Sequence, residues 1–168
     1  MKTERPDIPG YGIAGPKEGG GLLPWRWAKQ RLEKGHNYFL CTTRPDGRAH
    51  VMPIWGVWVG DAFYFSTGAQ SVKERNLSAN PRCVLCPEDA TEAVIVEGVA
   101  RKVRPVAAVG KAYFKKYKWK LDPKMGPIYA LRTAVVFGFI ERDELFTKTA
   151  TRWTLGRKKE NGFQVTTL

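Results

Sequence analysis

The segment from Ser66 to Asn76, STGAQSVKERN, has residue types suited to binding an anion. Ser71 and Glu74 match the S-x-x-E pattern that caps the N-terminus of a helix. A helix that begins there presents free backbone N–H groups and the positive end of its dipole. Lys73 and Arg75 would add two full positive charges in the first turn, where cations are normally unfavourable. This spacing predicts a phosphate-binding corner.

Two interpretations of this corner stay open. Ser66 and Thr67 end the preceding apolar run and would add hydroxyl donors to a phosphate site, and Arg48 begins a strand that can approach the same place. The alternative is an ordinary surface helix, since every helix needs a cap and both Lys and Arg are good helix formers.

The elements that lead into the corner are predicted to be β-strands. HNYFLCTT, RAHVMPIWGVWV and AFYFST read as three antiparallel strands, and the Pro-Asp-Gly sequence between the first two indicates a hairpin turn. Pro53 lies inside the second run and has no N–H to donate to a ladder. We therefore expect an edge strand or a bulge at Pro53.

The remaining elements complete a mainly β fold with flanking helices. One helix should start at Pro24 and end before Gly35, with Trp25, Ala28 and Leu32 on one face, and another should start near Pro105. Further strands are expected in PRCVLCPED, TEAVIVEGVARKV and AVVFGFIE, with two short ones in ATRWTL and GFQVTTL. Short strands, close turns and few helices predict a small β-barrel.

Length and composition predict one domain with an arm. The chain has 168 residues, of which 43% are apolar, enough to build a core. Residues 1–23 are rich in Gly and Pro and read as an extended arm, which leaves 24–168 as the domain. The net charge of +12 favours a polyanionic partner, either nucleic acid, an acidic membrane or a phosphorylated small molecule.

Several classes of protein are not expected. The sequence contains no apolar run long enough to cross a membrane and no signal peptide core, so we expect a cytoplasmic protein without a membrane partner. Cys83 and Cys86 form a C-x-x-C, but residues three apart on a strand point to opposite faces. No metal site or disulfide is therefore predicted.

An ordered series of motifs resembles the pyridoxamine 5′-phosphate oxidase-like superfamily, in particular its branch of flavin and deazaflavin oxidoreductases of class B. The series is D-G-R-x-H-V-x-P, F-x-x-S, S-x-K-x-R-N-L, V-E-G and finally T-R-W, within about residues 24–155. The resemblance implies a split β-barrel that forms a homodimer. It also implies two cofactor sites at the subunit interface, which hold FMN or its relative coenzyme F-420.

The resemblance also implies which residues bind the cofactor. The first motif would run along the ring and help to hold the phosphate, and the serine and lysine motifs would hold the phosphate end. The T-R-W motif would approach the cofactor, and its Trp either covers the ring or the interface or is an ordinary core residue. The cofactor-binding residues are then Arg48, Ala49, His50, Val51, Met52, Pro53, Phe65, Ser66, Thr67, Ser71, Val72, Lys73, Arg75, Arg152 and Trp153.

Two features of this sequence bear on the chemistry. Val72 stands where many relatives have arginine, which removes one phosphate cation that Arg75 would have to replace. His50 shares a strand face with Arg48 and Met52, so it either faces the cofactor or is a half-buried strand residue. No catalytic residue is assigned, because flavin chemistry resides mostly in the ring.

The stretch from Lys111 to Lys124 mixes six lysines with four aromatic residues. Our main interpretation is an ordinary helix whose Phe114, Tyr117 and Leu121 pack inward. A nucleic-acid surface, a membrane-surface helix and a groove for the glutamate tail of coenzyme F-420 are the alternatives.

The function predicted from the sequence is FMN- or F-420-dependent oxidation or reduction of an unidentified small molecule by hydride transfer. Oxidation of pyridoxamine phosphate itself is not expected, because the C-terminal pattern of the true oxidases is not matched. The alternatives are a flavin- or heme-binding module without fast turnover and a basic nucleic-acid-binding protein. We do not expect nucleic acid to be the partner.

Overall fold

The computed structural model describes residues 1–15, 18, 21–104 and 106–156. The short strand predicted in GFQVTTL lies outside the described residues. The strands are β1 Lys2–Glu4, β2 Tyr38–Thr43, β3 Ala49–Ile54, β4 Gly56–Val59, β5 Ala62–Ser66, β6 Arg82–Pro87, β7 Glu92–Lys102, β8 Ile128–Ile140 and β9 Thr151–Thr154. The helices are α1 Trp25–Lys34, α2 Val72–Ala79, α3 Ala107–Tyr117 and α4 Asp143–Thr149, with a 3-10 turn at Pro123–Met125.

The strands form one antiparallel sheet that curls into a split barrel, which confirms the predicted fold class. Along the sheet the order is β1-β9-β8-β7-β6-β2-β3, while β5 pairs with both β8 and β4. Among the described residues, β1, β3 and β4 each pair along one edge only, and of these β3 and β4 are separated in sequence by Trp55 alone. The split lies between these two strands.

The prediction of one continuous strand over residues 48–59 is wrong, because this segment forms two strands, β3 and β4. The chain changes partners at Trp55, so that β3 pairs with β2 and β4 pairs with β5. A Cβ atom on Gly56 would lie 2.2 Å from the ring of Phe63, so the ring packs directly on the glycine at the start of β4. Pro53 lies on the edge strand β3, as its missing N–H predicted.

Strand β8 connects the two parts of the sheet. One of its edges pairs with β7 along nearly the whole strand. Its other edge pairs first with β5, through Ile128 to Arg132, and then with β9, through Val135 to Gly138. The register of the β7–β8 pair shifts between Glu97 and Gly98, where β8 has one extra residue, Ala134, and a bulge of this kind increases the local twist.

The core fills the barrel and continues beneath α1. Phe63, Leu85 and Leu131 are fully buried inside the barrel, and Ala28 and Leu32 of α1 pack on the same cluster. The predicted apolar face of α1 is confirmed. Burial of such side chains supplies the main favourable free energy of folding.

Helix α3 packs with a different face from the one predicted. Val109 and Tyr113 are buried, whereas Phe114 is 48% exposed. The helix ends at Tyr117 because Lys118 adopts a left-handed conformation (φ 56°), so Leu121 lies beyond the helix and packs from the following loop. The prediction for Phe114 assumed a longer helix and was wrong.

The first residues of the chain lie on the barrel. Strand β1 pairs antiparallel with β9, and the Arg5 guanidinium donates to the Ala150 carbonyl oxygen at 3.2 Å. Strand β1 and helix α4 were not predicted. The division of the chain at residue 23 stays a prediction.

The described residues contain neither a candidate membrane-spanning helix nor a candidate metal-ligating cluster. Among them, no helix is long and apolar enough to cross a membrane, and no cluster of three metal-ligating side chains occurs. Cys83 is buried and Cys86 is half-buried on the opposite face of β6, and both are free thiols.

Candidate functional site

A cavity of about 670 Å³ opens at the split of the barrel. It lies where the edge strand β3, the end of β5, the first turn of α2 and the loop after α3 meet. Its lining residues are Asn37, Pro53, Ile54, Trp55, Ser66, Thr67, Gly68, Lys73, Tyr113, Trp119, Lys120, Leu121, Asp122 and Met125. We call the end formed by 66–68 and Lys73 the cationic corner, and the end formed by Trp55, Tyr113, Trp119 and Met125 the aromatic end.

The cationic corner is built on the N-terminus of α2. Ser71 is the N-cap, and its hydroxyl oxygen accepts from the backbone N–H of Glu74 at 3.2 Å, as the sequence predicted. The Ser71 hydroxyl also hydrogen-bonds the Thr67 hydroxyl at 2.8 Å, which ties the helix to the end of β5. Within the described residues, the N–H groups of Val72 and Lys73 find no acceptor. Two free donors therefore lie at the helix tip.

The second half of the predicted capping box does not form. The Ser71 N–H donates to the Gly68 carbonyl oxygen at 3.0 Å instead of to Glu74. The Glu74 carboxylate turns inward and pairs with the Lys102 ammonium at 2.7 Å, which lowers the pKa of Glu74. It also accepts hydrogen bonds from Ser78 and Tyr129. These contacts fix α2 against β7 and β8.

The charge of Lys73 at the corner is not compensated by an ion pair within the part of the chain that the structure describes. Lys73 is half-buried, forms no ion pair with any described residue, and has a pKa lowered by burial. The pKa of His50 is lowered by burial and then by the charges of Arg44 and Lys73. Asn76 donates to the Thr42 hydroxyl at 2.9 Å, and that hydroxyl lies 3.4 Å from His50 Nδ1. Such a group of cations attracts an anion.

A glycine holds the loop after α3 against the corner. Gly126 has φ 151°, and a Cβ atom there would lie 2.1 Å from the carbonyl oxygen of Thr67. The Thr67 N–H donates to the Pro127 carbonyl oxygen at 3.2 Å. This close approach brings Asp122 and Met125 to the cavity wall, so the two ends of the cavity share one boundary.

Three predicted cations have other contacts. Arg48 is bound to the Asp46 carboxylate at 2.7 Å in the hairpin turn, where its charge is compensated. Arg152 pairs with Glu4 of β1 at 2.8 Å. Arg75 is exposed, and its guanidinium lies 3.4 Å from the Gln70 carbonyl oxygen, which is near the tip of α2. The expectation that Arg48 supplies free charge to the corner is corrected by its pairing with Asp46.

The other predicted site residues divide into three groups. Pro53, Ser66 and Thr67 line the cavity. Ala49, Val51 and Met52 are exposed on the edge strand. Phe65 and Trp153, in contrast, are 0% exposed and belong to the core, where Phe65 stacks on Tyr129 and Trp153 packs against Trp25. Of the two interpretations of Trp153, the protomer agrees with packing in the core, because the barrel encloses the side chain.

The sequence reasoning missed the aromatic end. Trp55, Trp119 and Met125 are 44%, 55% and 63% exposed, and none of them was assigned to a site from the sequence. The only signal in the sequence was the density of aromatic and basic residues after Lys111. It could not reveal the site, because the barrel brings Trp55 beside residues that lie far along the chain.

A family model described as "Pyridoxamine 5'-phosphate oxidase" matches residues 28–137. The chain belongs to this family. The matched range includes β2 to β7, α2, α3 and most of β8, and therefore the whole cavity. No curated protein sequence matches the chain significantly.

Solved structures share the fold at low sequence identity. An F-420 reductase is 24% identical with a TM-score of 0.55, over 64% of this chain and 94% of that chain. A heme-binding protein from Mycobacterium smegmatis is 18% identical with a TM-score of 0.64, over 79% of this chain and 59% of that one. The heme storage protein HutZ from Vibrio cholerae is 17% identical with a TM-score of 0.55, over 68% and 91%. At these identities the likeness concerns the fold.

Proposed function

We propose that this chain is an oxidoreductase that binds FMN or coenzyme F-420 and transfers a hydride to or from a small molecule. One observation carries the proposal. The half-buried Lys73 has no acidic partner among the described residues and stands beside two free amides at the wall of the cavity. A desolvated cation with free N–H donors matches the oxygens of a phosphate monoester.

The residues at the corner fit the phosphate end of such a cofactor. The Lys73 ammonium, the amides of Val72 and Lys73 and the hydroxyl of Ser66 would hold the phosphate. When bound, the cofactor supplies hydride or electron transfer from its ring. The chain supplies binding and orientation, and no side chain is assigned as an acid or a base.

The active form in this proposal is a cytoplasmic homodimer. Phe39 of β2 and Val51 of β3 lie on one face of the β2–β3 pair, where Phe39 is opposite Pro53 of the cavity wall, and they are 45% and 54% exposed. An apolar surface next to a binding site is typical of an interface. A second copy would cover this surface and close the cavity to water. The three cysteines are free thiols, which agrees with a reducing compartment.

The test is a titration that isolates the phosphate. Riboflavin and riboflavin 5′-phosphate differ only in that group, so wild type should bind the phosphate form much more tightly. Lys73→Ala should weaken riboflavin 5′-phosphate binding about 30-fold and leave riboflavin unchanged, because a charge-assisted hydrogen bond is lost. Lys115→Ala removes an equal charge from an exposed site on α3 and serves as the matched control.

The same titration is repeated with coenzyme F-420, which identifies the cofactor by relative affinity. Equal affinity of wild type and Lys73→Ala for both phosphorylated cofactors would refute the proposed phosphate site. Tight, salt-dependent binding of DNA without cofactor uptake would favour the nucleic-acid-binding alternative.

A second candidate is a heme-binding module. The pKa of His50 is lowered, chiefly by burial and then by the charges of Arg44 and Lys73, which favours the neutral imidazole that can ligate iron. A Soret band that forms with hemin and disappears in His50→Ala would support this candidate. The absence of any band would remove it.

A further inference from the structure

Trp55 is held in a fixed orientation at the split of the barrel. Its ring stacks on Tyr117 with centroids 4.8 Å apart and an angle of 9° between the planes. Its indole N–H donates to the Asn37 side-chain oxygen at 3.2 Å, and the ring of His36 stands edge-on to it. Contacts on one face and at the N–H together leave the indole little freedom to rotate.

The groups that hold Trp55 are themselves fixed. The Tyr117 hydroxyl donates to the carbonyl oxygen of Gly56 at 2.8 Å or of His36 at 2.7 Å, and accepts from the Gly56 N–H at 3.0 Å. The Asn37 amide donates to the Glu88 carboxylate at 2.7 Å. The orientation of Trp55 is therefore set before any ligand binds, and preorganisation of this kind lowers the entropic cost of binding.

Despite these contacts, Trp55 keeps 44% of its surface exposed and lines the cavity. A single exposed aromatic side chain is normal on a protein surface. Here, however, two further exposed apolar side chains, Trp119 and Met125, line the same cavity. An indole that is stacked on Tyr117, fixed at its N–H and still 44% exposed in the wall of a cavity is the arrangement expected of a stacking surface.

We propose that the aromatic end binds a planar aromatic substrate, which stacks on Trp55 and is covered by Trp119. Lys120, next to Trp119 in sequence, lines the same cavity, so a carboxylate or another oxygen acceptor on the substrate would add to binding. This inference rests on the proposed function, in which the cationic corner takes the phosphate of the cofactor and leaves the aromatic end for the substrate.

The experiment compares two probes by isothermal titration calorimetry. 2-Naphthoate is planar and aromatic, and decalin-2-carboxylate has the same carbon skeleton in saturated, non-planar form. Wild type should bind 2-naphthoate at least tenfold more tightly than decalin-2-carboxylate. Trp55→Leu and Trp119→Leu should each weaken 2-naphthoate binding about tenfold, which is the loss expected for one stacked aromatic contact.

Phe114→Leu is the matched control, because Phe114 is an aromatic residue 48% exposed on α3 and does not line the cavity. It should bind both probes as wild type does.

Trp55→Phe keeps a ring, so its affinity for 2-naphthoate should fall only about threefold. It replaces Trp55→Leu if the latter loses the native circular dichroism spectrum. Equal affinity of wild type for the two probes, or unchanged 2-naphthoate binding in the Trp55 and Trp119 variants, would overturn the inference.

Riboflavin 5′-phosphate separates the two proposals. If it binds in a Lys73-dependent manner while 2-naphthoate fails the comparison, the substrate inference is wrong and the proposed function stands. If 2-naphthoate stacks on Trp55 but neither riboflavin 5′-phosphate nor coenzyme F-420 binds, the aromatic end is a ligand site and the proposed function is wrong.

Discussion

The two ends of the cavity are built in opposite ways. The cationic corner comes mainly from one segment, 66–73, and the buried side chains of Glu74 and Asn76 fasten it to the barrel. The aromatic end joins Trp55 to the distant segment 113–125, and much of its surface is exposed. A site for an anion needs donors at fixed positions, whereas a stacking site needs a fixed plane and accessible area. Local sequence encodes the first more directly than the second.

The largest loss of stability is expected from a substitution at Gly126, where the loop after α3 touches the cationic corner. Gly126→Ala would place a Cβ atom 2.1 Å from the Thr67 carbonyl oxygen, in a backbone conformation that L-residues rarely adopt. We expect a loss of about 3 kcal/mol in the free energy of unfolding, measured by urea denaturation. Gly68→Ala is the control, since a Cβ atom there would meet nothing within 4 Å. Equal stability of the two variants would show that the loop is not fastened to the corner.

A smaller effect is expected where the aromatic end is anchored. Tyr117→Phe keeps the stack with Trp55 but removes the hydroxyl that bonds Gly56 and His36. The free energy of unfolding should fall by about 2 kcal/mol, because the Gly56 N–H loses its partner. Tyr113→Phe should change stability by less than about 0.5 kcal/mol, since no described residue hydrogen-bonds the Tyr113 hydroxyl. A loss of similar size in both variants would mean that the hydroxyl of Tyr117 is not the anchor.

The smallest loss of stability is expected at Glu74, which holds the helix of the cationic corner against the barrel. Glu74→Gln replaces a carboxylate that is 12% exposed and pairs with Lys102, which is 55% exposed. Because Lys102 is half in water, we expect a loss of only about 1 kcal/mol in the free energy of unfolding at pH 7. The exposed pair of Glu33 with Lys29 provides the control, and Glu33→Gln should cost less than about 0.5 kcal/mol.

The stability difference between wild type and Glu74→Gln should depend on pH. The pKa of Glu74 is lowered in the folded state, chiefly by Lys102. The contribution of Glu74 to the free energy of unfolding is then fully present above the pKa of an unfolded glutamate. It disappears as pH falls through the lowered pKa of the folded state. Urea denaturation of both proteins should give a constant difference above about pH 5 and a shrinking one below about pH 4. A difference that persists at low pH would exclude the ion pair as its cause.

Much of the fold could be predicted because the signals were local. The Pro-Asp-Gly turn, the edge position of Pro53 and the start of α2 after Ser71 each depend on a few adjacent residues. Those signals placed the hairpin, the edge strand and the cap correctly. The order of the strands could not be read in this way, because the exchange of partners at Trp55 depends on how Gly56 packs against Phe63.

The candidate site was predicted in part for the same reason. The cap at Ser71 and the position of Lys73 in the first turn follow from local spacing, but the inward turn of Glu74 depends on Lys102, which the barrel brings close. Arg48 was assigned to the site by its position in a motif, and the Asp46 carboxylate two residues away binds it instead.

Strand β8 has a consequence for how the molecule opens. On one edge it pairs with both β5, which carries the corner, and β9, which holds β1. Neither β7 on one edge of β8 nor β5 and β9 on the other can separate from it without breaking hydrogen bonds to this strand. Fluctuations that expose backbone amides should therefore involve the whole barrel at once, and the slowest hydrogen exchange should lie in the middle of β8. The cavity thus rests on a single cooperative unit and not on two domains that hinge.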